Sequence, residues 1–171
     1  MNRKKLRLLL FADCNRHCAG CCNKDWNLES LPICTDYTPY DEILLTGGEP
    51  MLKPDLTVQA IQEIRQQTNA PIILYTADLA KPIWLYFINS LIDGLTVTLH
   101  TPGDVRVFES YDRYFTPPEH MKGRMRLNVF KEAGEVRAKP HWKVKPGMEW
   151  IKNCPLPEGE VLMKYEGDKT I

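Results

Sequence analysis

The stretch Leu6-Arg7-Leu8-Leu9-Leu10-Phe11-Ala12-Asp13-Cys14-Asn15-Arg16-His17-Cys18-Ala19-Gly20-Cys21 decides how the fold is read. Leu6 to Phe11 is apolar apart from Arg7, which suits a buried strand of a parallel sheet. The run passes directly into three cysteines spaced C-x3-C-x2-C. Thiolates this close in sequence can all reach one iron–sulfur cluster. A cubane cluster has four irons, so three protein ligands leave one iron able to take a small molecule. An open coordination position likewise separates a catalytic zinc from a structural one. The expectation is an iron–sulfur enzyme with an exchangeable ligand. A structural zinc, a redox cysteine group or a non-catalytic iron–sulfur module competes with it on the cysteines alone.

Outward from this stretch, apolar strands alternate with amphipathic segments. Ile43 to Thr46 reads as a second short strand, ending in Gly47-Gly48-Glu49-Pro50. Pro54-Asp55 opens a helix with Asp55 as candidate N-cap and Leu56, Ala60, Ile61 and Ile64 on its buried face. Ile72 to Thr76 is a third strand. A helix from Pro82 follows, with Trp84 and Phe87 expected in the core and Asp93-Gly94 as its stop. Leu95 to His100 alternates, with Thr96, Thr98 and His100 opposite Leu95, Val97 and Leu99. Val105 to Phe115 suits a fourth helix. Arg124 to Val129 alternates again, with Arg124, Arg126 and Asn128 on one side. Between the cysteines and the second strand, 23–40 reads as irregular with one helical turn.

Such alternation predicts an α/β fold with a parallel sheet. Crossovers of one hand would curl it into a partial parallel (β/α) barrel of five to six strands, spanning residues 1–130. Residues 131–171 are expected as a short irregular C-terminal extension packed on that core, with only Val161 to Tyr165 a strand. Arg137, Lys139, His141, Lys143 and Lys145 fall at every second position, so an extended segment would put all five on one face. Pro140 restricts that segment to an edge strand or loop, either a solvated edge or a surface for anions. In parallel barrels chemistry lies beyond the C-terminal ends of the strands, where both the cysteine loop and the Gly-Gly turn fall.

Composition narrows the class. The 171 residues are 43% hydrophobic and 26% charged, as in an ordinary single globular domain. A formal net charge of zero removes the footprint of a general nucleic-acid binder. No apolar run is long enough to cross a bilayer, and Leu6 to Phe11 is too short for a signal peptide after the basic start at Met1 to Lys5. A cytoplasmic protein with no membrane partner is expected. Four of the six cysteines fall between Cys14 and Cys22, which fits a metal site in a reducing compartment better than a disulfide framework. Cys22, Cys34 and Cys154 lack ligand spacing and are expected as buried or free thiols.

The two motifs together resemble the radical S-adenosylmethionine (radical SAM) enzymes. That family shares a C-x3-C-x2-C loop after its first strand and a Gly-Gly-Glu-Pro-type turn after its second. Here these are Cys14, Cys18 and Cys21, and Thr46-Gly47-Gly48-Glu49-Pro50; the likeness covers roughly residues 6 to 130. The resemblance implies that Cys14, Cys18 and Cys21 hold a [4Fe-4S] cluster whose fourth iron is chelated by S-adenosyl-L-methionine. An external one-electron donor of flavodoxin or ferredoxin type would reduce it. Cleavage of the sulfonium would then give a 5′-deoxyadenosyl radical, an oxidoreductase-type chemistry that belongs to the cofactor. Gly47 and Gly48 would let backbone approach the methionine ammonium, with Glu49 fixing the turn. Thr98, His100, Arg126 and Asn128 are candidates for the ribose, the methionine carboxylate or the substrate, which is either a small molecule or a protein. Gly20 stands where the family usually carries an aromatic. Asn23-Lys24 and Trp26 are similar to the activase of anaerobic ribonucleotide reductase, a glycyl-radical-enzyme activase.

Overall fold

The alternation of strands and helices folds into one seven-stranded sheet in which every neighbouring pair is parallel. The computed structural model describes residues 3–167. Met1 and Asn2 of the basic start, and 168–171 of the C-terminal segment, lie outside the described residues. In chain order the elements are β1 (Lys5–Leu9), α1 (Cys22–Asp25), β2 (Glu42–Thr46), α2 (Pro54–Gln67), β3 (Ile72–Thr76), α3 (Pro82–Asn89), β4 (Gly94–Leu99), α4 (Pro102–Tyr114), β5 (Met125–Phe130), β6 (Lys143–Met148) and β7 (Glu160–Lys164). Strand order is β6-β5-β4-β3-β2-β1-β7. Successive strands from β1 to β6 are therefore neighbours, and the last strand returns to the far side of β1.

Seven strands replace the five to six expected. β6 left no apolar signature because it is an edge strand with nearly all its side chains exposed. It joins β5 through the backbone, pairing Arg126 with Lys143 and Asn128 with Lys145, and its edge position tolerates Pro146. The five-residue basic stripe does not form one face. The Lys139 ammonium donates to the carbonyls of Arg113 (3.0 Å) and Phe115 (2.8 Å) at the end of α4, a normal place for a cation. His141 turns to Asp112 at 3.4 Å, and only Lys143 and Lys145 lie in the strand. β7 has its outer edge covered: Cys34 donates its N–H to the Lys164 carbonyl, and Lys164 donates its own to Pro32.

Strand alternation separates two faces. Leu6, Leu8, Ile43, Leu45, Leu74, Val97 and Leu127 point into the main core, against Ala60, Ile61 and Ile64 of α2, Leu85 and Ile88 of α3, and Phe108 of α4. Each such side chain contributes roughly 1.5–3 kcal/mol by leaving water. Arg7, Tyr75, Thr96, Thr98, Arg126 and Asn128 alternate with these residues and so occupy the opposite face.

Three helix details differ from expectation. Lys53 occupies the N-cap of α2 with Pro54 at the first helical position, and Asp55 lies inside the first turn. Trp84 and Phe87 are 40% and 49% exposed, because α3 buries only the stripe of Leu85, Ile88 and Asn89 against the sheet. α3 ends at Asn89, before Asp93. The Asp93 carboxylate instead accepts from Arg65 at 2.5 Å and from the Ile72 N–H at 2.8 Å.

Candidate functional site

The cysteine loop and the Gly-Gly turn are laced together by backbone. Leu10 donates to the Thr46 carbonyl (2.9 Å), Gly48 to Phe11 (2.7 Å) and Glu49 to Asp13 (3.0 Å). A Cβ at position 48 would lie 1.8 Å from the Asp13 carbonyl oxygen, so only glycine fits this crossing. The Asn23 amide donates to the Gly47 carbonyl at 3.1 Å, and the Lys24 ammonium to the Cys18 carbonyl at 3.1 Å.

Glu49 anchors the turn from within. It is 2% exposed. Its Oε1 accepts from the Met51 N–H (3.0 Å) and the Thr76 hydroxyl (2.5 Å), and its Oε2 from the Ala77 N–H (2.9 Å). The carboxylate thereby ties the end of β2 to the end of β3. Burial raises its pKa above the ordinary carboxylate value, and the three hydrogen bonds offset this only in part.

A cavity of about 230 Å³ opens at these strand ends. Cys14, Cys18, Cys21, Gly47, Gly48, Glu49, Thr98 and His100 all line it. Cys14, Cys18 and Cys21 are free thiols, part-buried or exposed. Burial pushes the Cys14 and Cys18 thiols up, while Arg16 beside Cys18 favours its thiolate. His100 has its pKa lowered by burial and by Arg16, so the imidazole is neutral near pH 7, and its Nδ1 has no hydrogen-bond partner. Arg126 and Asn128 are not brought to this cavity. They line a neighbouring one, and Tyr75 lines both. Among the described residues, no three His, Cys, Asp or Glu side chains converge as ligands for a single metal ion.

Several lining residues were not singled out from the sequence as site residues. Arg16 crosses from the cysteine loop to Asp104 (2.7 Å) and to the Ala77 carbonyl (3.1 Å). Asp104 also accepts the N–H of His100 (2.8 Å) and completes a capping box with Thr101 at the start of α4. Trp150 stacks on His100, with ring centres 5.2 Å apart and planes 3° from parallel. A Cβ at Gly20 would lie 2.7 Å from the Trp150 side chain, so the indole occupies the space that a larger side chain at position 20 would need. Cys22 and Cys154 form a disulfide across 132 residues, where free thiols were expected; Cys34 is a buried free thiol. The pairing joins the segment before β7 to the cysteine loop, and Trp26 reinforces it by donating to the Cys154 carbonyl at 3.1 Å. Neither spacing nor local composition relates residues so distant in sequence.

No family model matches the chain, and no curated protein matches it.

Proposed function

We propose that this protein is a radical SAM enzyme whose sheet is a partial parallel (β/α) barrel. The observation that carries the reading is the meeting of two sequence motifs at one cavity: three free cysteines from the loop after β1, and the Gly47-Gly48-Glu49 turn after β2. The sequential order of parallel strands from β1 to β6 is the order that crossovers of a single hand would curl into a barrel.

The residues fit a [4Fe-4S] cluster with S-adenosyl-L-methionine. The donor set is three thiols, the soft ligands such a cluster takes. Cys14, Cys18 and Cys21, which all line the cavity, would hold the cluster. When bound, the pair would supply one-electron reductive cleavage of the sulfonium and, through it, hydrogen abstraction from a substrate. The protein's part is position and shielding. Gly47 and Gly48 bring backbone to the cavity wall, where it would receive the methionine ammonium, and Glu49 holds the turn through Met51 and Ala77. Thr98 and the unpartnered Nδ1 of His100 offer hydrogen bonds to the ribose. Trp150 supplies a flat surface for a nucleobase in place of the aromatic absent at Gly20. Arg126 and Asn128, by lining the neighbouring cavity, are assigned away from the cofactor.

An external donor of flavodoxin or ferredoxin type completes the proposal; no helix among the described residues is long and apolar enough to cross a membrane. The likeness to a glycyl-radical-enzyme activase rests on Asn23 and Lys24. Asn23 bridges the cysteine loop to the Gly-Gly turn and Lys24 donates back to Cys18 within the cysteine loop, which gives both a local role without a protein substrate. Anaerobic reconstitution with iron and sulfide tests the ligand assignment. The wild-type protein is expected to gain [4Fe-4S] absorption and Cys18→Ala to lose it. Retention of that absorption by the variant would refute the assignment.

A further inference from the structure

Beyond Tyr75, the same sheet face carries a second cavity, of about 540 Å³, whose wall is cationic. β5 contributes Arg126 and Asn128, and β6 contributes Lys143 and Lys145, facing one another in register. No acidic side chain is among its lining residues. On the same face Arg7 pairs with Glu160 at 2.8 Å and Lys5 with Glu42 at 2.7 Å. The side chains of Arg126, Lys143 and Lys145 have no ion-pair or hydrogen-bond partner among the described residues.

Thr96 adds an independent sign. Its side chain lines the cavity and is 1% exposed, yet its hydroxyl has no hydrogen-bond partner. Buried polar groups are nearly always satisfied, and one that is not calls for a ligand or water to complete it.

We propose that this cavity anchors the phosphate monoester of a small-molecule substrate; the word substrate rests on the radical-enzyme reading above. Three positive charges without a counter-charge suit a dianion better than the single carboxylate of the cofactor. The Arg126 guanidinium provides the forked donor that phosphate oxygens accept, and Lys143 and Lys145 act as point charges. Asn128 and Thr96 complete the shell with neutral hydrogen bonds. Because Tyr75 lines both cavities, a ligand held here extends toward the cysteine site. The basic alternation in the sequence thus has two functions: Lys139 and His141 fasten the segment to α4, and Lys143 and Lys145 face the ligand.

The test is calorimetric titration of the full chain, as purified without cluster, using phenyl phosphate as the probe. The expected result is saturable binding that is at least tenfold weaker in R126Q/K143Q/K145Q. All three residues are exposed, and far-ultraviolet circular dichroism of the variant checks its fold. In the wild-type protein, the Arg126 Nε–H resonance should shift along the same titration. Equal affinity in wild type and variant, or no preference for phenyl phosphate over acetate, would overturn the proposal. Displacement of phenyl phosphate by S-adenosylmethionine would return these cations to the cofactor. Tighter binding of a single-stranded oligonucleotide, lost in the triple variant, would replace the small molecule by nucleic acid. Each outcome is read without the cluster, so failure here is separable from failure of the radical chemistry.

Discussion

Glu49 shows how one buried carboxylate ties two strand ends together. Its two oxygens take three donors from Met51, Thr76 and Ala77, and all three belong to the ends of β2 and β3. A glutamine would keep one acceptor and turn an amide N–H toward a donor. Glu49→Gln should therefore cost about 1–3 kcal/mol in urea denaturation at pH 7, the usual price of stranding a buried group. The pH dependence has a definite sign. A carboxyl whose folded pKa is raised contributes its stability in full below the ordinary carboxylate pKa, and loses it as pH rises through the folded value. The stability of wild type minus that of Glu49→Gln should fall across that window; a difference that rises with pH would contradict the burial argument. Glu49 was legible in the sequence because its motif is local, as were Cys14, Cys18 and Cys21. Arg16, Asp104 and Trp150 were not. Arg16 meets Asp104 across 88 residues, and nothing in either neighbourhood announces the partner.

At the scale of elements, the start of α4 is built into the site. Asp104 caps its own helix and holds Arg16 of the cysteine loop, so one side chain serves both. Burial opposes its ionisation, but the Arg16 guanidinium and the N–H groups of His100 and Thr101 outweigh it and hold the pKa below the usual value. Asp104→Ala should destabilise the protein by about 1–2 kcal/mol, as loss of a capping side chain does. It should also raise the rate of amide hydrogen exchange in residues 14–18; unchanged exchange there would mean that Arg16 is held by Ala77 alone. The central strands were legible because a strand buried by helices must be apolar on that face. β6 was legible only as one of two alternatives, an edge strand or a loop, because an edge strand needs only backbone. Trp84 and Phe87 were misplaced for the converse reason: α3 carries more apolar residues than its single buried stripe can cover.

At the scale of the molecule, the sheet collects what the chain disperses. Parallel strands place the loops after β1 and β2 at one end, and the two outermost strands come from the last thirty residues described. The alternation of strands and helices was enough to foresee the sheet, but not the return of the C-terminal segment to both of its edges. That return depends on long-range contacts: Asp112 accepting from the Trp142 indole at 2.8 Å and from the Lys139 N–H at 2.8 Å, and Cys154 bonded to Cys22. The central claim is that the cavity at these strand ends performs reductive cleavage of S-adenosylmethionine. The direct measurement is 5′-deoxyadenosine formed by the anaerobically reconstituted, reduced protein with S-adenosylmethionine. Its formation by the wild type and its absence with Cys18→Ala are predicted. A [4Fe-4S] absorption with no 5′-deoxyadenosine would contradict the account.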